Sequence, residues 1–135
     1  MQTAIIPNKM VQTWNADVHA IIDTWISYYV TLNEFSDAVL SKGLEYSKLN
    51  KGRAWIVDSS DATGNFSKEI QEFIGSDIFP AFAKAGIKYF ITITSKNALT
   101  KLTIRNYSAK AGPNGLLLVQ IDSLADAIEW LKKNT

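Results

Sequence analysis

Three short apolar segments of the chain have the hydrophobic pattern of strands inside a protein. They span residues 54–57, 87–94 and 116–121, and β-branched or aromatic residues are frequent in them. The first is a continuous apolar run, which is typical of a strand covered on both faces. A polar residue follows each segment, so the pattern predicts three strands that end in surface loops or turns.

Helical patterns separate these three strands. Residues 31–34, Thr-Leu-Asn-Glu, form a capping box, and apolar residues then recur at helical spacing up to Leu49. Ser67 is the expected N-cap of a second helix, Asn97 precedes a third, and Ser123 begins a fourth. The predicted helices therefore lie before, between and after the three strands.

Pro80 interrupts the apolar pattern of the second predicted helix. A proline inside a helix removes an amide donor and clashes with the preceding turn. We therefore expect two helical pieces here, with Asp77 starting the second so that Pro80 lies within its first turn. Gly86 is expected to end this region before the strand at residues 87–94.

The N-terminal part of the chain has a different pattern, in which alternating apolar residues flank Asn-Ala-Asp at positions 15–17. Asn and Asp favour tight turns, so residues 11–22 are expected to form two strands joined by a turn. Residues 1–9 are expected to be a loose extension of a single domain spanning residues 1–135. The predicted order is β-β-α-β-α-β-α-β-α, which indicates an α/β fold with a mixed, largely parallel sheet.

Composition narrows the class of protein. The 135 residues are 47% hydrophobic and 20% charged, which fits one globular domain. The net charge of +1 gives no electrostatic reason to expect nucleic acid or an anionic membrane as a partner. The sequence has no cysteine, its N-terminal apolar run is too short for a signal-peptide core, and no apolar stretch approaches a membrane span. We therefore expect a cytoplasmic protein without disulfides.

No catalytic or cofactor-binding pattern in the sequence is complete. His19 has a side chain suited to general base catalysis, but no Ser or Asp partner is evident, and a surface histidine is the simpler interpretation. Asp58 lies at a strand end like the aspartate of receiver domains, yet the acidic pair and lysine of such sites have no counterpart. Asp58 and Asp61 supply too few ligands for a cation. We expect no enzyme activity, no cofactor and no metal.

Several local sequences between about residue 11 and residue 134 are similar to those of a known family. They are Trp25 before the helix start at residues 31–35, Trp-Ile-Val-Asp at 55–58, Phe79-Pro80, Ala-Gly-Ile-Lys at 85–88, and residues 125–131. These patterns resemble the SpoIIAA-like family of small bacterial domains, which is related to the STAS and SEC14 groups. The resemblance implies a STAS-like fold and a non-enzymatic module that binds a protein, a nucleotide or a lipid-like ligand.

The resemblance also implies candidate phosphorylation sites. In anti-sigma-factor antagonists of the wider STAS group, the phosphorylated serine lies in an Asp-Ser-Ser-Gly motif at the start of the second helix. Ser59 and Ser60 follow Asp58 in a similar way, but Asp61 stands where that motif has glycine. Ser67 lies nearer the expected helix start, preceded by phenylalanine instead of aspartate. Ser59, Ser60 and Ser67 are therefore candidate phosphoacceptors, with a plain helix cap as the alternative for Ser67.

Two functions follow as expectations. The first is a binding or signalling module whose protein partner docks around the loop at residues 58–67, with Asp58, Asp61 and Thr63 in contact with it. The second is a carrier or sensor of a small apolar or lipid-like ligand held between helices and sheet. Its pocket would be lined by Phe73, Phe79, Phe82 and Tyr107, which are otherwise ordinary core residues.

Other surfaces suggest further contacts. Trp25, Tyr28 and Tyr29 are expected to cover one end of the core or to line an aromatic pocket. The third helix is locally basic, which is usual for a solvated face but also suits an acidic partner protein or an anionic headgroup; its cations are Lys96, Lys101, Arg105 and Lys110. Exposed edge strands of the predicted sheet would permit a homodimer.

Overall fold

The computed structural model describes residues 1–134 and contains one six-stranded sheet in which the strands lie in chain order. β1, β2 and β3 pair antiparallel, whereas β3, β4, β5 and β6 pair parallel. The strands are β1 (Gln2–Ile6), β2 (Met10–Asn15), β3 (Ala20–Trp25), β4 (Ala54–Asp58), β5 (Tyr89–Ile93) and β6 (Leu117–Gln120). The predicted α/β class and the mixed, largely parallel sheet are confirmed.

The helical segments connect the parallel strands and close the described chain. Two of the connections contain a π-helical segment between α-helical ones. The segments are α1 (Leu32–Ser36), π1 (Asp37–Leu44), α2 (Glu45–Leu49), α3 (Lys68–Phe73), π2 (Ile74–Ile78), α4 (Phe79–Lys84), α5 (Ala98–Ser108), a 3-10 turn (Gly112–Asn114) and α6 (Leu124–Lys133). No helix within residues 1–134 has the length and apolar character needed to cross a membrane.

The N-terminus differs from the expected loose extension at residues 1–9. Residues 2–6 form β1, which pairs with β2, so the sheet has one strand more than predicted. Ala4 and Ile6 point into the core and Ile5 lies outside, which is the period-two pattern of a strand. The predicted turn between the next two strands is confirmed, and Asn15 pairs with Ala20 across it.

The helices lie on both faces of the sheet, but unevenly. Residues of α1 to α5 and of π1 and π2 share one hydrophobic cluster with Trp55 and Val57 of β4, and we call this side the major face. Ala54 and Ile56 point to the opposite, minor face, where Ala127 of α6 packs. Successive side chains of a strand alternate between faces, so one strand serves both clusters.

Arg53 fixes α6 against the minor face. Its guanidinium donates to the carbonyl oxygens of Leu131, at 2.6 Å, and Asn134, at 2.7 Å, which lie at the C-terminal end of that helix. The Leu131 carbonyl also accepts from the Asn134 amide at 3.2 Å. The last carbonyls of a helix lack regular intrahelical partners, so a cation here adds hydrogen bonds to them and complements the helix dipole. Arg53 thereby ties the start of β4 to the end of α6.

The helical region around Pro80 differs in part from the prediction. Pro80 lies in the first turn of α4, as predicted, but no break precedes that segment. Helical structure continues from Lys68 to Lys84 without a break, and Asp77 lies inside π2 instead of starting a second helix. The Asp77 carboxylate accepts a hydrogen bond from the neighbouring Ser76 hydroxyl and caps no helix amide. The wider turn of π2 comes directly before Pro80, where a regular α-helix would bring the proline ring against a carbonyl group.

A glycine allows π1 to approach the sheet closely. A Cβ atom added to Gly43 would lie 2.6 Å from both Nε2 and Oε1 of Gln12. The Gln12 side chain is fully buried and cannot swing aside freely, because its Nε2 donates to the Ala38 carbonyl and to Asp23, and its Oε1 accepts from the Thr3 hydroxyl. The position therefore requires glycine for close packing.

We predict that Gly43→Ala lowers the free energy of unfolding by about 1–3 kcal/mol, because the added methyl group displaces a hydrogen-bonded side chain. Gly112→Ala is the matched control, since no atom lies within 4 Å of its added Cβ. Urea unfolding followed by tryptophan fluorescence measures both. Equal effects of the two substitutions would contradict the role of Gly43.

Candidate functional site

The loop at residues 58–67, which we call the β4 loop, leaves the carboxyl end of β4 and is bonded to the chain on either side of it. On the side of β3, Thr63 pairs with the segment that follows that strand. The Tyr28 amide donates to the Thr63 carbonyl at 2.9 Å, and the Thr63 amide donates to the Ile26 carbonyl at 3.2 Å. Thr63 thus forms a parallel bridge with Ser27 beyond the ends of β3 and β4.

On the side of β5, side-chain hydroxyls hold the same loop. The Ser95 hydroxyl donates to the Ala62 carbonyl at 2.6 Å, and the Thr100 hydroxyl donates to the Gly64 carbonyl at 2.5 Å. Both hydroxyl residues are buried. A buried carbonyl needs a partner, so these bonds satisfy the loop backbone and fix its shape.

Ser59, one of the candidate phosphoacceptors, lies inside the protein. Its hydroxyl is 2.5 Å from the Tyr28 hydroxyl, which is 3.0 Å from the Tyr107 hydroxyl, and all three side chains are buried. The Tyr28 ring stacks on Phe66 with 3.9 Å between centroids. Burial raises the pKa of Tyr28 and the pKa of Tyr107 well above their ordinary value, so both phenols stay protonated. The cluster joins the segment after β3, the β4 loop and α5.

The other predicted loop residues lie at or near the surface. Ser60 is half-buried, and its amide and hydroxyl donate to Oδ1 of Asp58 at 3.1 and 2.7 Å. Asp61 and Thr63 are exposed. Ser67 is exposed and caps α3, where its hydroxyl accepts from the Ile70 amide at 3.1 Å, as predicted from the sequence. The structure therefore separates a buried Ser59 from an outward-facing set around it.

Two open grooves flank the β4 loop. One has a volume of about 450 Å³ and runs beside Tyr29, Asn65 and Ser67. The other, of about 350 Å³, runs past Asp61 and Lys96. The Tyr29 ring lies against the loop at Gly64, where an added Cβ would be 2.6 Å from the ring, yet 59% of Tyr29 is exposed. The sequence placed Tyr29 in an aromatic cluster with Trp25 and Tyr28, but those two are buried and Tyr29 faces outward.

The predicted apolar ligand pocket corresponds to a small internal cavity. Phe79, Phe82 and Tyr107 line a space of about 20 Å³ beneath the major-face helices, whereas Phe73 is half-buried elsewhere. A cavity of this size holds about one water molecule. In this conformation the aromatic side chains pack as a core.

Asp23 contributes a carboxyl group to the lining of that cavity, and it was not predicted from the sequence. It lies within β3 and is buried, with Oδ1 accepting from Nε2 of Gln12 and Oδ2 accepting from Nε1 of Trp55, both at 2.9 Å. No Lys, Arg or His side chain within residues 1–134 forms an ion pair with it. Burial raises the pKa of Asp23 from 3.8 to about 6, and the two hydrogen bonds oppose that rise.

Within residues 1–134, no three His, Asp or Glu side chains converge as ligands for a metal ion. His19 lies exposed in the turn between β2 and β3, with a positive φ of 52°. Comparison of the chain with family models, with curated proteins and with solved structures gives no match. The geometry of the β4 loop and of the surfaces beside it is therefore the basis for assigning a function.

We predict that Asp23 makes the protein less stable as the pH rises. Its pKa is higher in the folded state than the ordinary value of 3.8, so the folded state binds more protons between pH 3.8 and about 6. The contribution of Asp23 to the free energy of unfolding is therefore fully present below pH 3.8. It falls by about 3 kcal/mol as the pH rises through this window, at 1.36 kcal/mol per pKa unit.

Urea unfolding at intervals from pH 3.5 to 7.5 tests this prediction. Asp23→Asn removes the titrating group, so we expect this downward slope to disappear in the variant even if its overall stability changes. The comparison uses the slopes, since the asparagine amide cannot accept both of the hydrogen bonds that Asp23 accepts. An identical slope in both proteins would show that Asp23 does not titrate in this range.

We also predict that Tyr28→Phe destabilises the fold by about 1–3 kcal/mol, because it leaves the buried hydroxyls of Ser59 and Tyr107 without that partner. Tyr29→Phe is the matched control, as it removes a hydroxyl from an exposed ring. Thermal or urea unfolding of the two variants measures the difference. A Tyr28→Phe variant as stable as Tyr29→Phe would show that the hydroxyl cluster does not hold the β4 loop.

Proposed function

We propose that the protein is a non-enzymatic binding or signalling module whose protein partner docks on the β4 loop. The observation that supports this most directly is the combination of a loop fixed by hydrogen bonds on both sides with an exposed outer surface. Asp61, Thr63 and Ser67 are exposed on it, and Tyr29 lies beside it. Asp58, half-buried, belongs to the same surface through its bonds to Ser60.

The physical properties of this surface favour protein recognition. A loop that is already ordered loses little conformational entropy on binding, so more of the contact energy becomes affinity. Tyr29 offers a large aromatic side chain, 59% exposed, and Ile26 is 49% exposed on the segment that pairs with Thr63. Aromatic anchors surrounded by polar groups are typical of protein interfaces. The open grooves beside the loop suit a docked polypeptide better than an enclosed small substrate.

The resemblance to SpoIIAA-like domains supports the same location. In anti-sigma-factor antagonists of the wider STAS group, the phosphorylated serine lies at the start of the second helix, and Ser67 lies nearest the equivalent position here. Ser67 is the candidate whose side chain is exposed, whereas Ser59 has none of its surface exposed and Ser60 is half-buried. Phosphorylation of Ser67 would add about two negative charges to the docking surface and so alter partner affinity.

The alternative function is a carrier or sensor of a small apolar or lipid-like ligand. It requires Phe79, Phe82 and Tyr107 to move apart, because the cavity they line has a volume of about 20 Å³. Displacing close-packed core side chains is costly. This function is therefore the second choice.

We predict that a photo-crosslinking amino acid at Thr63 captures a protein partner in the native cell and that the same amino acid at Lys84 does not. Lys84 is exposed at the end of α4, before β5, so it reports from the opposite edge of the sheet. Adding Tyr29→Ala to the Thr63 probe is expected to reduce capture of that partner at least about tenfold, the loss typical of an interface anchor.

Tyr29→Phe is the control for this experiment, since it keeps the ring and should retain capture. Unfolding curves of all variants check that the fold is intact. Equal capture at Thr63 and Lys84, or capture that Tyr29→Ala leaves unchanged, would contradict docking on the β4 loop.

A further inference from the structure

A second surface lies beside the carboxyl ends of the parallel strands, as the β4 loop does, and it has the properties of a small-molecule site. It is a cleft of about 260 Å³ at the carboxyl ends of β5 and β6, covered on one side by α5, and we call it the β5–β6 cleft. The side chains that matter for its chemistry are Thr92, Thr94, Lys101, Arg105, Gln120 and Asp122. None of them belongs to the β4 loop.

The sheet changes from apolar to polar beneath α5 at this point. On β5, Phe90 belongs to the major-face cluster, and Thr92 is the next residue that points to the same side. On β6, Leu118 packs against that cluster and Gln120 follows in the same way. Thr92 and Gln120 are paired across the two strands, so the change occurs at one level of the sheet.

Thr92 is unusual for its position. It is 2% exposed, and the other residues of β5 are apolar, namely Tyr89, Phe90, Ile91 and Ile93. A hydroxyl in a buried strand is unfavourable unless it has a polar partner. The Thr92 side chain borders the open cleft, where water or a bound polar group can be that partner.

Two cations of α5 face the same cleft. Lys101 and Arg105 are four residues apart and therefore lie on one side of the helix. Neither forms an ion pair within residues 1–134. Asp122 contributes the one carboxylate to the lining, at the end of the cleft formed by the segment after β6. The cleft thus combines two free cations with hydroxyl, amide and carboxylate groups.

The topology of the sheet also favours this place. The connections from β3 to β6 pack on the major face, whereas α6, which follows β6, packs on the minor face. The chain therefore changes face at the carboxyl end of β6. In open α/β sheets, ligands bind in crevices beyond the carboxyl ends of the strands, and the helices after β5 and β6 lie on opposite faces here.

We propose that the β5–β6 cleft binds the phosphate group of a small hydroxylated phosphate monoester. Arg105 and Lys101 bind the phosphate, because a guanidinium and an ammonium one helical turn apart can contact the same doubly charged group. Thr92, Thr94 and Gln120 supply hydrogen bonds, and Asp122 accepts one from a hydroxyl group of the ligand. The volume of about 260 Å³ limits the ligand to a small molecule. The site is independent of partner docking on the β4 loop.

The experiment is a titration of the full-length, isotope-labelled protein with ribose 5-phosphate, followed by amide NMR shifts. We expect saturable shifts in residues 92–94 and 120–122, weaker binding of inorganic phosphate, and no binding of ribose. Arg105→Gln and Lys101→Gln are each expected to raise the dissociation constant about tenfold or more, as loss of a charge-assisted hydrogen bond does. Both side chains are exposed, so the variants should fold, and their unfolding midpoints verify it.

Lys84→Gln is the matched control, because it removes an exposed lysine at the opposite edge of the sheet and should leave the affinity unchanged. Three results would overturn the proposal. The first is that neither ribose 5-phosphate nor inorganic phosphate binds saturably. The second is that the shifts are spread evenly over surface lysines. The third is that Arg105→Gln leaves the affinity unchanged. Equal binding of malate, a dicarboxylate, would overturn the assignment to phosphate.

Discussion

The handedness of the strand connections determines most of this structure. From β3 to β6 each new parallel strand is added on the same side of the previous one, and right-handed crossovers then carry every connecting helix to one face of the sheet. The major face consequently receives the helices α1 to α5, and the minor face depends on α6. The same constraint brings the carboxyl ends of four strands to one edge, which is where the β4 loop and the β5–β6 cleft both lie.

A buried polar network connects the two halves of the sheet across this arrangement. Gln12 of β2 bonds to Asp23 of β3, to Thr3 of the preceding strand and to the Ala38 carbonyl in π1. Trp55 of β4 completes the network from the parallel side. Hydrogen bonds in a low-dielectric interior are directional and costly to break, so they fix the register of the antiparallel strands against the helix above them. The cost is a carboxylate buried without a cation.

Much of the fold could be predicted because its signals are local. The capping box at residues 31–34, the cap at Ser67 and the apolar strand predicted at residues 54–57 depend on neighbouring residues and were confirmed. β1 was missed because Ala4 and Ile6 are its two buried apolar residues, too few for a clear period. The continuous helix through Pro80 depends on a π-helical turn that spacing does not reveal.

The candidate site was harder to predict, because its parts meet only in three dimensions. The sequence placed Asp58, Asp61 and Thr63 in one loop, and that follows from their adjacency. It did not bring Tyr28 together with Ser59 and Tyr107, which lie 31 and 79 residues from Tyr28 along the chain. Asp23 carries one signal, a carboxylate inside an apolar strand, but the donors that hold it come from separate strands.

The dependence of the minor face on α6 has a consequence for how the protein is made. Every strand of the sheet leaves the ribosome before α6 does, and domains begin to fold during synthesis. Until α6 arrives, Ile56, Ile91 and their neighbours on that face are exposed to water and to other chains. The carbonyl groups that Arg53 binds belong to the same late segment. During synthesis the minor face of the sheet is therefore an exposed apolar surface until α6 covers it, and this surface is where we expect chaperones to bind.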